Sequence, residues 1–174
     1  MNVSIFCSSR DTSLCYEKET IEAISILQEY GINKVIYRGV NKGLMGVVYR
    51  ESERIYLPIE GHNLKKWSSD DYGKEIVYTG LTDRKKSILD ESTIFLVLPG
   101  GIGTIYELCQ ALYQNDTNEI IKPVVIYNIN RVFDLFITFL IQNTLVDIDK
   151  LLLYEAKTPD ELRTIFRELK LGNK

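Results

Sequence analysis

Apolar positions along the chain fall into short continuous runs separated by stretches of helical period, and this alternation continues from end to end. Val3 to Cys7 is the first such run; a polar Ser-Ser-Arg-Asp-Thr-Ser loop follows, then a helix predicted from about Ser13 in which Ile21, Ile24 and Leu27 recur near helical spacing. Gly31 is placed to stop it. Lys34 to Tyr37 reads as a second strand, Arg38 to Gly43 as a loop, Leu44 to Glu53 as a helix, and Arg54 to Ile59 as extended chain after it. Gly61 to Gly73 is polar and poorly periodic, which predicts a surface excursion. Glu75 to Tyr78 makes a further strand, with Thr82 or Asp83 available to cap a helix that reaches Glu91.

Thr93 to Leu98 is apolar at successive positions, the pattern of a central parallel strand covered by helices on both faces. Pro99 to Gly103 breaks it, and helical character returns from Thr104 to Gln114. Pro123 to Tyr127 is another buried strand, Val132 to Thr144 another helix, and Leu151 to Tyr154 a short strand. Thr158-Pro159-Asp160-Glu161 opens the last helix with a cap, a first-turn proline and an acidic residue. Strand and helix in alternation predict an α/β fold, a doubly wound, Rossmann-like parallel sheet flanked by helices. With no linker or repeat, residues 1–174 read as one domain.

The composition adds exclusions. The 174 residues carry 21 Lys and Arg against 24 Asp and Glu, a net charge of −3, so nonspecific binding to nucleic acid or to an anionic membrane is not expected. The most apolar later stretch, Val132 to Val146, is interrupted by Asp134, Gln142 and Asn143 and is too short for a bilayer span, so it reads as a buried helix. No secretory signal opens the chain, and a cytoplasmic protein is expected. Cys7, Cys15 and Cys109 form no Cys-x-x-Cys pair and His62 is the lone histidine, so no metal site is expected. Cys7 and Cys109 read as core residues.

In an open parallel sheet, ligands bind at the carboxyl ends of the strands, which directs attention to the loops after Cys7, Tyr37, Tyr78 and Leu98. Pro99-Gly100-Gly101-Ile102-Gly103-Thr104 joins glycines that permit close backbone approach to the amides of a helix start, which suits a phosphate. A plain strand-to-helix turn explains the same residues. No Walker lysine follows, and the glycine spacing is not that of the dinucleotide fingerprint. Thr104-Ile105-Tyr106-Glu107 fits a capping box, which gives Glu107 a structural reading beside a catalytic one.

Thr82-Asp83-Arg84-Lys85-Lys86, Ile94 to Leu98 and Pro99-Gly100-Gly101-Ile102-Gly103-Thr104-Ile105-Tyr106-Glu107 together resemble the LOG family of cytokinin-activating phosphoribohydrolases, often mislabelled lysine decarboxylases. Phe6-Cys7-Ser8-Ser9 and Gly43-Leu44-Met45-Gly46 extend the similarity over most of the chain. The resemblance implies a nucleotide-binding domain that hydrolyses the N-glycosidic bond of a nucleoside 5'-monophosphate, without cofactor or metal. It implies that Glu107 and Arg84 are catalytic, and that Gly100, Gly101, Gly103 and Thr104 hold the 5'-phosphate. Lys85, Ser8, Ser9 and Gly39 are the further substrate contacts, with a solvated Lys85 and ordinary loop capping by Ser8 and Ser9 as the alternatives. Met45 reads as core. Physically, a fixed carboxylate stabilises the oxocarbenium charge that develops on the ribose, and a guanidinium fork suits phosphate or a base acceptor.

The chain also departs from the family pattern. Arg38-Gly39-Val40 stands where a triple glycine is usual, so that Val40 is placed to narrow the pocket and Arg38 either to add a phosphate contact or to block one. Gly61 to Lys74 lacks the family's wording, and His62 and Trp67 read there as surface or interface packing. The competing reading is a catalytically weak or inactive nucleotide sensor of the same fold. Lysine decarboxylation is disfavoured because no lysine sits in a recognisable pyridoxal-phosphate setting. Family members are usually homodimers, and the apolar positions Leu108, Leu112 and Tyr113 serve either such a contact or the core.

Overall fold

The structure, a computed structural model, describes residues 1–68 and 73–171. Among the described residues, seven strands form one sheet: β1 (Asn2–Phe6), β2 (Lys34–Tyr37), β3 (Ile59–Leu64), β4 (Lys74–Tyr78), β5 (Ile94–Val97), β6 (Val124–Tyr127) and β7 (Leu153–Ala156). Their spatial order is β4-β3-β2-β1-β5-β6-β7, and every pairing is parallel. The helices are α1 (Glu17–Glu29), α2 (Gly43–Arg54), α3 (Leu81–Glu91), α4 (Ile102–Asp116), α5 (Asp134–Gln142) and α6 (Pro159–Leu171). This is the doubly wound α/β fold that the alternation predicts.

Side-chain alternation divides the core in two. Val3, Ile5, Ile94, Leu96 and Leu98 pack toward α1, α2 and α6, through Ile24, Leu27, Leu44, Val48, Leu162 and Phe166. Phe6, Phe95, Val97 and Ile126 point the other way, against Ile88, Leu108, Leu112 and Ile137 of α3, α4 and α5. The chain steps outward from β1 to β4 on one side and from β5 to β7 on the other, so the strand order reverses between β1 and β5. A ligand crevice forms at such a reversal, beyond the carboxyl ends of the strands.

Helix ends follow local chemistry. At Gly31, with φ +66, the amides of Gly31 and Ile32 bond back to Gln28 and Leu27 in a Schellman turn. In α6, Thr158 Oγ1 accepts from the Glu161 amide while Glu161 Oε2 accepts from the amides of Lys157 and Thr158. The start of α3 differs from expectation, because its N-cap is Gly80 and neither Thr82 nor Asp83 caps it.

Two expectations fail between residues 54 and 68. Arg54 to Ile59 is not a strand. Tyr56, at φ 56, takes the left-handed position of a second Schellman turn, with Tyr56 and Leu57 amides bonded to Glu53 and Ser52 carbonyls. The strand starts only at Ile59, after Pro58. The following segment is a surface excursion only in part: Gly61 to Leu64 belong to β3, which is buried at every position, including Glu60, His62 and Asn63, whereas Lys65, Lys66 and Trp67 are exposed. Residues 69–72 of that stretch lie outside the described residues.

Burial of those polar groups is made tolerable by a network. Lys34 Nζ donates to Glu60 Oε1 and Glu91 Oε2, both at 2.9 Å, and Lys74 pairs with the other oxygen of Glu60. His62 lies between Glu60, at 3.1 Å, and the Tyr78 hydroxyl, at 3.0 Å. Burial pushes the Glu60 carboxyl up, but Lys74, Lys34 and His62 outweigh it and hold the pKa at about 2. This depressed value contributes stability that is complete above the ordinary 4.5 and is lost as the pH falls through about 2. Glu60→Gln is therefore expected to cost about 3 kcal/mol at neutral pH. The difference from wild type should close on acidification, which urea unfolding at a series of pH values measures. A pH-independent difference would refute the charge argument.

Candidate active site

Three loops meet at the reversal point: residues 7–10 after β1, residues 38–42 after β2 and residues 98–101 after β5. Pro99 O accepts the Ser8 amide at 3.1 Å, and Ser8 O accepts the Met45 amide at 3.1 Å, so the first loop is bonded to the loop after β5 and to the first turn of α2. The loop after Tyr78 opens α3, whose first turns reach the same crevice through Leu81, Arg84 and Lys85.

The glycine-rich loop leads directly into α4, with Gly101 as N-cap. A Cβ on Gly100 would run into the Thr104 side chain, so the tight turn itself requires glycine there. Gly101 O accepts the Thr104 and Ile105 amides, while the preceding amides belong to a helix start that has no intrahelical acceptor for them. The loop separates two concavities. One, of about 560 Å³, is lined by Ser8, Arg10, Gly100, Gly101, Ile102 and Phe136, among others. The other, of about 330 Å³, holds Arg38, Trp67, Leu81, Arg84, Lys85, Gly103, Tyr106 and Glu107.

Glu107 is not the second half of a capping box. The helix begins at Ile102 rather than after Thr104, which puts Glu107 in the second turn, beyond reach of the N-cap amide. The residue is only 7% exposed; Oε1 lies 3.5 Å from Arg38 Nε, and Oε2 has no hydrogen-bond partner among the described residues. Burial pushes its pKa up to about 7, against the pull of Arg38, Arg84 and Lys85. Arg84 is 3% exposed, and its Nε and Nη1 are likewise without partners. Desolvation, with Arg38 adding to it and Glu107 opposing, holds the Arg84 pKa below its usual value. A buried carboxylate and a buried guanidinium, each with unsatisfied polar atoms and facing one cleft, are arranged to receive a polar ligand.

The other candidate residues take varied positions. Lys85 Nζ donates to the Tyr106 hydroxyl at 2.5 Å and lies over its ring. Ser8 Oγ accepts the Arg10 amide at 3.0 Å, a loop bond, and Ser9 is exposed. Gly39, at φ +68, accepts from Asn63 Nδ2 through its carbonyl at 2.9 Å. Met45 is core, and Val40 packs against the core rather than lining the cleft. Trp67 is half-exposed on the cleft wall, its ring 6.0 Å from the Arg84 guanidinium.

Two more expectations need correction. Cys109 is exposed on α4, turned away from the core that the helix's apolar residues fill. His62 is wholly buried, and its ligand atoms with those of Glu60 and Glu91 lie within 4.8 Å of one another, a grouping built by strand pairing and invisible in linear spacing. Lys34 and Lys74 already neutralise these carboxylates, so the cluster is an ion-pair network.

A family profile described as possible lysine decarboxylase matches residues 39–164. The chain belongs to the LOG family. Among its relatives, cytokinin riboside 5'-monophosphate phosphoribohydrolase LOG5 of Arabidopsis thaliana is 29% identical over 144 residues, 79% of this chain and 63% of that protein. The rice enzyme LOG, from Oryza sativa subsp. japonica, is 26% identical over 144 residues, 79% of this chain and 59% of its own length. The match thus spans about three fifths of these two curated relatives. The structural-genomics target TM1055 shares the fold with a TM-score of 0.75 at 20% identity, covering 96% of this chain and 98% of that one. The Moco carrier protein of Chlamydomonas reinhardtii does so with a TM-score of 0.71 at 18% identity, covering 99% and 98%. These two likenesses concern the fold alone. Arg38, which the sequence left open as contact or block, lies on the cleft wall beside Glu107.

Proposed function

We propose that this LOG-family chain hydrolyses the N-glycosidic bond of a nucleoside 5'-monophosphate, AMP or a cytokinin riboside monophosphate, to the free base and ribose 5-phosphate. The observation that carries this reading is the pair of buried, partly unsatisfied groups, Glu107 and Arg84, beside the start of α4. The names of the plant relatives support the substrate class. The 5'-phosphate sits on the amides of Gly100, Gly101 and Gly103 with Thr104 beside them. Lys85, Ser8, Ser9 and Gly39 complete the surround.

In the reaction, a water oxygen bonds to the anomeric carbon, the carbon–nitrogen bond breaks, and its electron pair leaves with the base, which takes up a proton. Positive charge grows on the sugar, and ionised Glu107 faces it and accepts the water's proton. Arg84 donates its unsatisfied N–H groups to the substrate. Residues 1–174 act as one nucleotide-binding domain, and the three cysteines, described as free thiols, suit a cytoplasmic setting.

Incubation with AMP and with its isopentenyl derivative, with chromatography of the products, tests the proposal: free base is expected from at least one. Release from neither sinks it. The Arg38–Glu107 contact favours a second reading, a sensor that binds the nucleotide and leaves it intact. Calorimetric AMP binding without base release would select it.

A homodimer is part of the same proposal. The predicted buried helix around Val132 to Val146 is half uncovered: Leu135 is 87% exposed, and Phe139, Ile141 and Leu145 are open too. Tyr113 of α4 lies beside them, along a groove with Phe136, Phe139 and Leu145, whereas Leu108 and Leu112 belong to the core. So large an apolar face fits a subunit contact. Leu135→Asp with Phe139→Asp is expected to give a monomer by light scattering where the wild type is a dimer. A wild-type monomer would remove this part of the proposal.

A further inference from the structure

We infer that Arg38 grips the substrate's 5'-phosphate, and that the same guanidinium holds the Glu107 carboxylate until substrate arrives. The inference deepens the phosphoribohydrolase reading and rests on it for the identity of the ligand.

The root of Arg38 is fixed. It follows the last residue of β2; Gly39 turns the chain at φ +68, and Asn63 of β3 clamps the Gly39 carbonyl. From there the side chain reaches the phosphate loop. Its Nη1 lies 3.1 Å from the point that a Cβ on Gly103 would occupy, and its Nε lies 3.5 Å from Glu107 Oε1. The guanidinium therefore stands between the first turn of α4 and the carboxylate, within reach of both. Among the described residues, Glu107 is its one ion-pair partner, and 3.5 Å is long for a charge-assisted hydrogen bond.

Charge balance points the same way. The cleft wall carries the cations Arg38, Arg84 and Lys85 against the single carboxylate of Glu107, although the whole chain has a net charge of −3. A phosphate dianion on the helix start neutralises that local excess. A planar guanidinium fork also matches phosphate oxygens better than it matches one carboxylate oxygen at ion-pair distance. Arg38 is 25% exposed, unlike Arg84, so it has solvent access in which to turn from one partner to the other. Its transfer to the phosphate leaves the Glu107 charge directed at the sugar. Burial raises the Glu107 pKa, and Arg38 is the foremost of the cations that restrain the rise.

Steady-state kinetics of Arg38→Ala and Arg38→Lys, with AMP and adenosine as substrates, test the inference, and thermal unfolding checks that the variants fold. Arg38→Ala is expected to raise KM for AMP by about ten- to hundredfold and KM for adenosine, which has no phosphate to grip, by far less, with Arg38→Lys falling between. The limb of the kcat/KM pH profile set by Glu107 should move to higher pH in Arg38→Ala, because that profile reports the free enzyme. A KM for AMP that does not change, or faster turnover of AMP once the arginine is removed, overturns the inference. If the wild type releases no base at all, the hydrolase reading fails by itself, and calorimetry with AMP decides about Arg38. Binding weakened by the same factor in Arg38→Ala supports the phosphate contact; equal binding, or none to either protein, overturns it.

Discussion

Glu107→Gln is expected to lose roughly a hundred- to thousandfold in turnover, the size of effect seen when one preorganised electrostatic group is removed from a transition state, and to make the protein more stable above neutral pH. Both effects have one cause. The folded protein holds the Glu107 proton up to about pH 7, whereas the unfolded chain releases it near 4.5. Stability therefore falls as the pH rises through that interval and stays low above it. Glutamine is neutral throughout, so the variant avoids a penalty of about 3 kcal/mol at high pH and gains little near pH 5. The result expected is a higher melting temperature than wild type at pH 8, converging at pH 5, with base release nearly abolished. In the wild type, turnover that requires the carboxylate ionised climbs through about pH 7. A variant with full turnover, or one less stable at pH 8, removes Glu107 from the role assigned to it.

A carboxylate this costly to bury could not be recognised from the Thr-Ile-Tyr-Glu spacing alone, since the same four residues spell a capping box. What decides between the readings is where α4 starts, and that depends on the Gly100–Thr104 packing, a contact made only in three dimensions. Apolar runs made β1, β2, β5 and β6 legible, because a strand covered by helices on both faces has to be apolar on both. β3 escaped that logic. Its Glu60, His62 and Asn63 are buried through partners on β2, β4 and α3 that are distant along the chain, so local polarity pointed to the surface. Tyr56 in a left-handed cap, where glycine is usual, hid the turn between α2 and β3 for a similar reason. On α5, apolar spacing alone does not separate a core face from an exposed one, because Leu135, Phe139 and Ile141 are as apolar as the residues that the helix buries. Arg38 was readable as a departure from the family's glycines, but its direction came only from the fold.

Arg84→Met is expected to lose about a hundredfold or more in turnover, because its buried N–H groups are the donors that the reading assigns to the substrate. Desolvation holds the Arg84 pKa below its usual value despite the opposing field of Glu107, so the charged form is disfavoured in the fold, and an apolar side chain of similar length should raise stability at neutral pH. The double variant with Glu107→Gln separates a shared site from two unrelated ones. Each single substitution removes one desolvated charge and also the attraction between the two; the double removes both charges but loses that attraction only once. The stability gain of the double should therefore exceed the sum of the singles at pH 8, where Glu107 is ionised, and the excess should vanish near pH 5, where it is not. Turnover should behave in the opposite way, with the double variant little worse than the poorer single, since both groups act on one transition state. Additive behaviour in both measurements would mean that Glu107 and Arg84 do not address the same ligand.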